Sequence, residues 1–193
     1  MSRILISTMH RGDNYGSALQ VYALSEILKK LGHHPIVLDY IPKRINLNKQ
    51  VWGLLKQLFL PKSLGDIKGA IRGLAITLTN YRCYNTFFKR EVSLTRKYYS
   101  YKDVAKANIL ADVYMTGSDQ VWNYNHNEGT DKHYFFDGIK GRKIAFSSSI
   151  GMKDLPKDYF HYMKQALSEY GAISVREDSA VEILSSMGLQ STQ

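Results

Sequence analysis

Residues 111–123 decide the fold of this chain, and they read Ala111-Asp112-Val113-Tyr114-Met115-Thr116-Gly117-Ser118-Asp119-Gln120-Val121-Trp122-Asn123. The first six residues form a short apolar run rich in β-forming types, and Gly117 ends this run in a polar cluster. A run of this length that is bounded by a turn signal indicates a buried strand. Ligands bind at the carboxyl ends of strands in open α/β sheets, so the loop after this strand is a candidate site.

The polar cluster offers five side chains for binding a ligand: Ser118, Asp119, Gln120, Trp122 and Asn123. The alternative is a polar turn that binds nothing, with Trp122 packed into the core. Considered without the rest of the chain, the stretch leaves both interpretations open.

The composition excludes several classes of protein. A chain of 193 residues, 44% of them apolar, is long enough for one globular domain with a core. The single cysteine, Cys83, excludes a disulfide framework and a thiolate zinc site and favours a reducing compartment. No apolar run has the form of a signal peptide or approaches the roughly 18 residues of a membrane span. Together these features predict a cytoplasmic protein. The six histidines lack metal-ligand spacing, so we expect no metal.

The net charge of +9 lies in one segment of the chain. Residues 41–110 hold 14 lysines and arginines against three acids, a net charge of +11, whereas the rest of the chain carries −2. Such a segment indicates a surface that faces anions, such as phosphates, acidic lipid head groups or nucleic acid. No nucleic-acid recognition module is visible, so we expect no nucleic-acid partner.

The amino-terminal residues predict a βαβ unit. Strands are expected over Arg3–Ser7 and His34–Asp39, with a helix over Gly16–Leu31 between them. Such a unit predicts a parallel sheet with a right-handed crossover, and therefore an α/β fold. The apolar residues at helical spacing, which we expect to face inward, are Ala18, Leu19, Tyr22, Ala23, Ile27 and Leu31.

A basic helical insertion, about residues 42–101, interrupts this α/β alternation. One helix is expected over Val51–Leu60 and another from about Asn80 to Glu91. Between them, apolar residues recur at helical spacing at Leu64, Ile67, Ile71, Leu74 and Leu78. A basic amphipathic helix lies on an anionic membrane or packs its apolar stripe on the host domain, and we favour packing.

The rest of the chain returns to the α/β alternation. Strands are expected over Tyr134–Phe136, Lys143–Phe146 and Gly171–Val175. Helices are expected over Lys102–Ile109, over Asp158–Tyr170 and from Asp178 or Ser179, either of which could cap it, to about Met187.

Three further loops at strand ends carry candidate binding residues. His10 follows the first strand, and Asp13 or Asn14 caps the helix whose first-turn amides form an anion site. The alternative there is a capped helix start that binds no ligand. Ser147 and Ser149 lie in a serine-rich loop that offers hydroxyls and amides to a carboxylate or phosphate. Arg176 ends the last strand, where it meets an anion or an acidic neighbour.

Four stretches resemble, in order, four blocks of the polysaccharide pyruvyl transferase family. These stretches are Asn14–Leu24, Asp112–Asn123, Lys143–Gly151 and Ile173–Glu177. They extend across nearly the whole chain, and the second block is the most distinctive of the four.

The resemblance implies a glycosyltransferase-B-like architecture, in which two Rossmann-like domains face each other across a cleft. It implies transfer of a pyruvyl group from phosphoenolpyruvate to a sugar of an exopolysaccharide or other cell-envelope polysaccharide precursor, which forms a pyruvate ketal. No cofactor is implied. The acceptors of such enzymes are usually lipid-linked at the cytoplasmic face of the membrane, which suits a peripheral contact with anionic lipid.

The resemblance also implies roles for particular residues. Asp13 or Asp119 is expected to act as the base toward the acceptor, and Asn14, Gln120 and Trp122 are expected to hold the sugar. The full set of expected substrate-binding residues is His10, Asn14, Tyr15, Gly16, Gln20, Gly117, Ser118, Gln120, Trp122, Asn123, Ser147, Ser149 and Arg176.

Residues 1–193 correspond to the amino-terminal Rossmann-like domain of the family. The donor-binding arginines and the acid-supplying histidine are expected in a carboxyl-terminal domain, which these residues do not include, so we expect little transferase activity from them alone. Two alternatives remain, a nucleotide-sugar glycosyltransferase of similar fold and a non-catalytic module that binds a membrane or a partner.

Overall fold

A five-stranded parallel sheet organises the molecule. The computed structural model describes residues 1–11, 14–42, 45, 47–61 and 63–193. Its strands are β1 (Arg3–Ser7), β2 (His34–Val37), β3 (Val113–Thr116), β4 (Arg142–Ser148) and β5 (Tyr170–Val175), in the order β2-β1-β3-β4-β5. Every neighbouring pair is parallel. The predicted α/β fold with a Rossmann-like parallel sheet is therefore confirmed.

The helices are α1 (Tyr15–Lys30), α2 (Leu47–Phe59), α3 (Leu64–Glu91), α4 (Tyr101–Lys106), α5 (Lys157–Leu167) and α6 (Asp178–Ser186). The alternating strand pattern decides which helices cover each face. Ile4 and Ile6 of β1 pack with α1 and the end of α3, whereas Leu5 packs with α4 on the opposite face. A third cluster gathers α5 and α6 on β4 and β5 around the buried Trp122.

Helix α1 buries a different stripe from the predicted one. Its buried apolar residues are Ala18, Val21, Leu24 and Leu28, whereas Leu19, Ile27 and Leu31 are exposed. The helix is apolar around most of its circumference, so two stripes satisfy the helical period and periodicity does not choose between them. Its amino terminus begins at Asn14, whose side-chain oxygen accepts hydrogen bonds from the amides of Gly16 and Ser17.

The insertion forms a helical hairpin of α2 and one long helix, α3, rather than the shorter second helix expected after Leu78. A capping box of Ser63 and Asp66 starts α3. The two helices meet closely at Gly73, where an added Cβ would lie 2.8 Å from Leu54. Only the last part of α3 packs on the sheet, through Tyr84 and Phe88.

The predicted packing of the insertion's apolar stripe is wrong for Leu64, Ile71 and Leu78, which are exposed. Across the described ranges, no helix is both long enough and apolar enough to cross a bilayer.

The segment predicted as a strand over Tyr134–Phe136 is instead a 3₁₀ helix over Lys132–Phe135. Phe136 then adopts a left-handed conformation with φ of 48°, which no strand allows. A short apolar run does not distinguish a strand from a buried helical turn. Helix α6 also differs from prediction, because its N-cap is Glu177 and no side chain caps it.

The strand order reverses between β1 and β3. The chain goes from β1 outward to β2 and then returns past β1 to form β3. In this topology the loops after β1 and β3 diverge, and the crevice between them is where ligands bind in open α/β sheets.

Candidate functional site

A cavity of about 640 Å³ lies at this crevice. Its size falls within the range of small-molecule sites. Its walls come from the loops after β1, β2 and β3 and from the residues before the 3₁₀ helix. The lining residues are Thr8, Met9, His10, Arg11, Asn14, Ser17, Tyr40, Pro42, Ile45, Asp119, Gln120, His126, Glu128 and Tyr134. We refer to this cavity as the cleft.

Asp119 is fixed in the cleft by its backbone and its carboxylate. One carboxylate oxygen, Oδ2, accepts a hydrogen bond from the Ser17 hydroxyl at 2.6 Å, and Oδ1 accepts one from the backbone N–H of Gln120 at 2.8 Å. Its φ of 89° lies in the left-handed region, which is uncommon for a residue with a side chain. A carboxylate has about four acceptor positions, so Asp119 retains capacity to accept a hydrogen bond from a ligand.

The loops after β1 and β3 are joined behind the cleft by Gln20. Its amide nitrogen donates to Thr8 Oγ1 and to the Met9 carbonyl, each at 3.2 Å. Its carbonyl oxygen accepts from the Ser118 hydroxyl at 2.6 Å. Helix α1 therefore holds both loops at the switch point, the crevice where the strand order reverses between β1 and β3.

Gly117 allows the two loops to approach each other closely. An added Cβ there would lie 2.8 Å from the Cβ of Thr8. The hydroxyl of Thr8 also donates to the Ser118 carbonyl at 2.6 Å. The glycine that ends β3 is thus needed for close packing.

A buried charge cluster forms one wall of the cleft. Arg11 donates to the Asp39 carboxylate from Nε at 2.8 Å and from a terminal nitrogen at 2.5 Å. Asp39 is only 2% exposed. Burial raises the pKa of Asp39, but the hydrogen bonds and positive charges of His10 and Arg11 outweigh this effect and hold it below its usual value.

His10 belongs to the same cluster. Its Nδ1 lies 3.1 Å from the Thr8 carbonyl oxygen and its Nε2 lies 3.3 Å from Asp39 Oδ1. Both partners are hydrogen-bond acceptors, so each ring nitrogen of His10 faces an oxygen of the protein and not the cavity. The ring also packs edge-on against Phe88, with 5.6 Å between centroids. His10 therefore has its ring nitrogens directed to the protein, and it contributes structure to the wall of the cleft.

The comparison with family models covers most of this site. Residues 14–193 match the model described as polysaccharide pyruvyl transferase. The chain belongs to this family. No curated protein and no solved structure matches it. Membership indicates an enzyme of the transferase class.

In this member of the family, four predicted site residues line the cleft: His10, Asn14, Asp119 and Gln120. Gln20, Gly117 and Ser118 lie behind it and hold its loops. Gly16 lies in the first turn of α1, and Tyr15 is exposed and packs against Tyr84 at 5.4 Å. Asp13 lies outside the described residues.

Trp122 and Asn123 require a correction. Trp122 is fully buried, stacks on Phe135 and donates from its indole nitrogen to the Tyr134 carbonyl, so its ring faces the core and not a sugar. Asn123 is also buried and donates to Gln120 Oε1 and to the Gly151 carbonyl. Both residues support the loop after β3 from behind.

The serine-rich loop after β4 is occupied by a carboxylate of the same chain. Glu177 accepts hydrogen bonds from the Ser149 hydroxyl and from the amides of Ile150 and Gly151, at 2.8 to 2.9 Å. The predicted anion site at Ser149 is therefore already filled. Ser147 and the exposed Arg176 lie outside the cleft lining.

Sequence reasoning missed Arg11, Asp39 and Ser17 as site residues. Asp39 follows the predicted second strand, so the rule that singled out His10 applied to it as well. Ser17 lies within the predicted helix, where its hydroxyl gave no signal of its contact with Asp119, a residue 102 positions away.

Proposed function

We propose that the chain provides the acceptor side of an enzyme that transfers a pyruvyl group from phosphoenolpyruvate to a sugar diol. The product is a pyruvate ketal on a precursor of a surface polysaccharide, and phosphate is released. The family match carries this proposal. The cleft at the switch point, with Asp119 on its wall, supports it.

The reaction needs an acid and a base. A general acid protonates the methylene carbon of phosphoenolpyruvate, and the adjacent carbon gains electrophilic character. One sugar hydroxyl attacks that carbon and gives up its proton. The second hydroxyl attacks the same carbon and loses its proton to the departing phosphate, whose carbon–oxygen bond breaks as the ketal forms.

Asp119 is our candidate for the base toward the acceptor. Its carboxylate lines the cleft and is oriented by Ser17 and Gln120 at the distances given above. The remaining acceptor positions of the carboxylate suit a sugar hydroxyl that is losing a proton. Asn14 and Gln120 offer amide groups to neighbouring hydroxyls.

We further propose that a second Rossmann-like domain faces this cleft, as in glycosyltransferase-B-like enzymes. The donor carries a carboxylate and a phosphate, and both need cations or amides. Among the described lining residues, Arg11 is the only lysine or arginine, and Asp39 already pairs with it. This supports a donor site with its cations, and the general acid, on the facing domain.

A peripheral contact with an anionic membrane is our proposal for the hairpin of α2 and α3. Trp52, Phe59, Leu60 and Leu64 are 60% to 79% exposed, and three of them cluster where α2 turns into α3. Residues 47–78 carry five lysines and arginines against one acid. Exposed apolar residues beside basic ones suit the boundary of an anionic bilayer and bring a lipid-linked acceptor within reach.

The test of function is acceptor-dependent release of phosphate, measured with the protein as its cell makes it. Phosphoenolpyruvate and a purified polysaccharide precursor are supplied together and separately, and the product is examined for a ketal by mass spectrometry. We expect release only when both are present. Release without an acceptor, or consumption of a nucleotide sugar in place of phosphoenolpyruvate, would overturn the proposal.

A further inference from the structure

A second cavity, of about 330 Å³, lies at the β2 edge of the sheet. We refer to it as the groove. It lies between the last turns of α3 and residues 92–97, which run beside β2 through a parallel bridge of Leu94 to Val37. Four of its lining residues are cationic: Arg11, Lys89, Arg96 and Lys97.

The groove has an excess of positive charge. Its carboxylate, Asp39, is paired with Arg11. In the part of the chain that the structure describes, no carboxylate pairs with Lys89, Arg96 or Lys97. Three cations are therefore available to an anion.

Two of these cations are held over aromatic rings. The Arg96 guanidinium lies 5.0 Å from the centre of the Tyr98 ring, and the Lys97 ammonium lies 6.0 Å from that of Tyr81. Such contacts restrict the side chains without neutralising their charge. The cations are thus partly positioned before a ligand arrives.

Arg11 joins the groove to the cleft, because it lines both. Its side chain is 10% exposed and is fixed by Asp39 and by Asn85, whose oxygen accepts from a terminal nitrogen at 2.8 Å. Arginine has five N–H donors, and these contacts use three of them. Donors therefore remain at the boundary of the two cavities.

We propose that the groove binds the diphosphate of a glycosyl diphosphate whose sugar lies in the cleft. This proposal rests on the proposed function, since it assigns the anionic part of the acceptor. Arginine and lysine are the usual ligands of phosphate oxygens, and three cations that no described carboxylate pairs with match two linked phosphates better than one. The groove is also within the volume range of small-ligand sites.

The test uses inorganic diphosphate as the probe, with binding followed by calorimetry and by amide chemical shifts of residues 85–97. The groove variant is Lys89→Gln, Arg96→Gln and Lys97→Gln together. The control, Lys140→Gln, Lys153→Gln and Lys164→Gln, removes the same charge from exposed sites outside both cavities. We expect affinity to fall at least about tenfold in the groove variant and less than about twofold in the control.

Three results would overturn the proposal: no saturable binding of diphosphate, an equal loss in both variants, or unchanged binding in the groove variant. Vesicles containing phosphatidylglycerol form a second arm. If the groove variant loses vesicle binding and keeps diphosphate binding, the groove serves lipid head groups and the proposal fails. Diphosphate binding needs no donor and no turnover, so its outcome is independent of the assay for transfer.

Discussion

At the scale of single residues, Asp39 and Asp119 are held in different ways. Asp39 is buried and pairs with Arg11 and His10, whereas Asp119 is partly exposed and, among the residues that the structure describes, accepts from the neutral donors of Ser17 and Gln120. The carboxylate of Asp39 is occupied by its pairing with Arg11 and His10 in the wall of the cleft. The carboxylate of Asp119 keeps free acceptor positions toward the cavity, which is why we assign the chemistry to Asp119.

Replacing Asp39 with Asn is expected to destabilise the fold in a pH-dependent way. Removing one partner of a buried ion pair costs about 3 kcal/mol, because Arg11 keeps its charge in a site with no counter-charge. The hydrogen bonds and charges of Arg11 and His10 hold the pKa of Asp39 in the folded protein below its ordinary value of 3.8, so the stabilisation by Asp39 is complete above pH 3.8. The contribution is then lost as the pH falls through the folded pKa.

Urea unfolding of both proteins from pH 7 downward measures this effect. The difference in unfolding free energy between wild type and Asp39→Asn should narrow below pH 3.8. A difference that stays constant over the whole range contradicts the account. As a control, Glu26→Gln removes the exposed pair with Lys29 and should cost less than about 1 kcal/mol.

Gly117→Ala is expected to destabilise the protein by roughly 1–3 kcal/mol, because the added Cβ meets Thr8 at 2.8 Å and the two loops cannot separate freely. Thermal unfolding measures the sign and size of this change in stability. Gly69→Ala in α3 is the matched control, since its Cβ meets nothing within 4 Å and alanine favours a helix. The control should be neutral or stabilising, and equal losses in both variants would contradict the close-packing role.

At the scale of elements, Glu177 ties β5 and α6 to the loop after β4. Glu177→Ala removes three hydrogen bonds to an ionised acceptor and leaves two amides without that partner. We expect a loss of about 2 kcal/mol and faster hydrogen exchange at the Ile150 and Gly151 amides. Glu182→Ala, at an exposed position of α6, serves as the control and should change neither the stability nor the exchange of these two amides. Unaltered exchange in the Glu177 variant would contradict this role.

The hairpin of α2 and α3 provides a second test at this scale. Phe59→Ser, Leu60→Ser and Leu64→Ser together should weaken binding to phosphatidylglycerol vesicles at least about tenfold, because apolar insertion is lost. Leu19→Ser, Ile27→Ser and Leu31→Ser instead remove three exposed apolar residues from α1 and its C-cap and should leave binding unchanged. Vesicle sedimentation at several salt concentrations measures both. An equal loss of vesicle binding in the two variants would show that the hairpin does not form a specific membrane contact.

At the scale of the whole molecule, the sequence predicted the α/β architecture because short apolar runs and βαβ alternation are local signals. It also predicted that the loops after β1 and β3 carry the site, since parallel strands place their carboxyl ends at one edge. The cleft is where those two loops diverge. Local patterns therefore sufficed to predict the place of the cleft, whereas its role stays a prediction.

Local sequence patterns did not predict the direction in which individual side chains point. Trp122 and Ser149 lie in the predicted loops, yet their contacts with Phe135 and Glu177 depend on residues distant in sequence. Helix α1 offered two apolar stripes, and packing against the sheet and the end of α3 decided which of them was buried. The wall formed by Arg11 and Asp39 likewise depends on a long-range pair that spacing does not reveal.

We propose above that the Asp119 carboxylate, in the loop after β3, serves pyruvyl transfer. It is tested by acceptor-dependent phosphate release from phosphoenolpyruvate, measured with Asp119→Asn in the protein as its cell makes it, beside Ser17→Ala, which removes one hydrogen bond and keeps the carboxylate. We predict that turnover falls about 10²- to 10⁴-fold in Asp119→Asn, with thermal stability nearly unchanged, and falls much less in Ser17→Ala. Wild-type turnover in folded Asp119→Asn would contradict the claim.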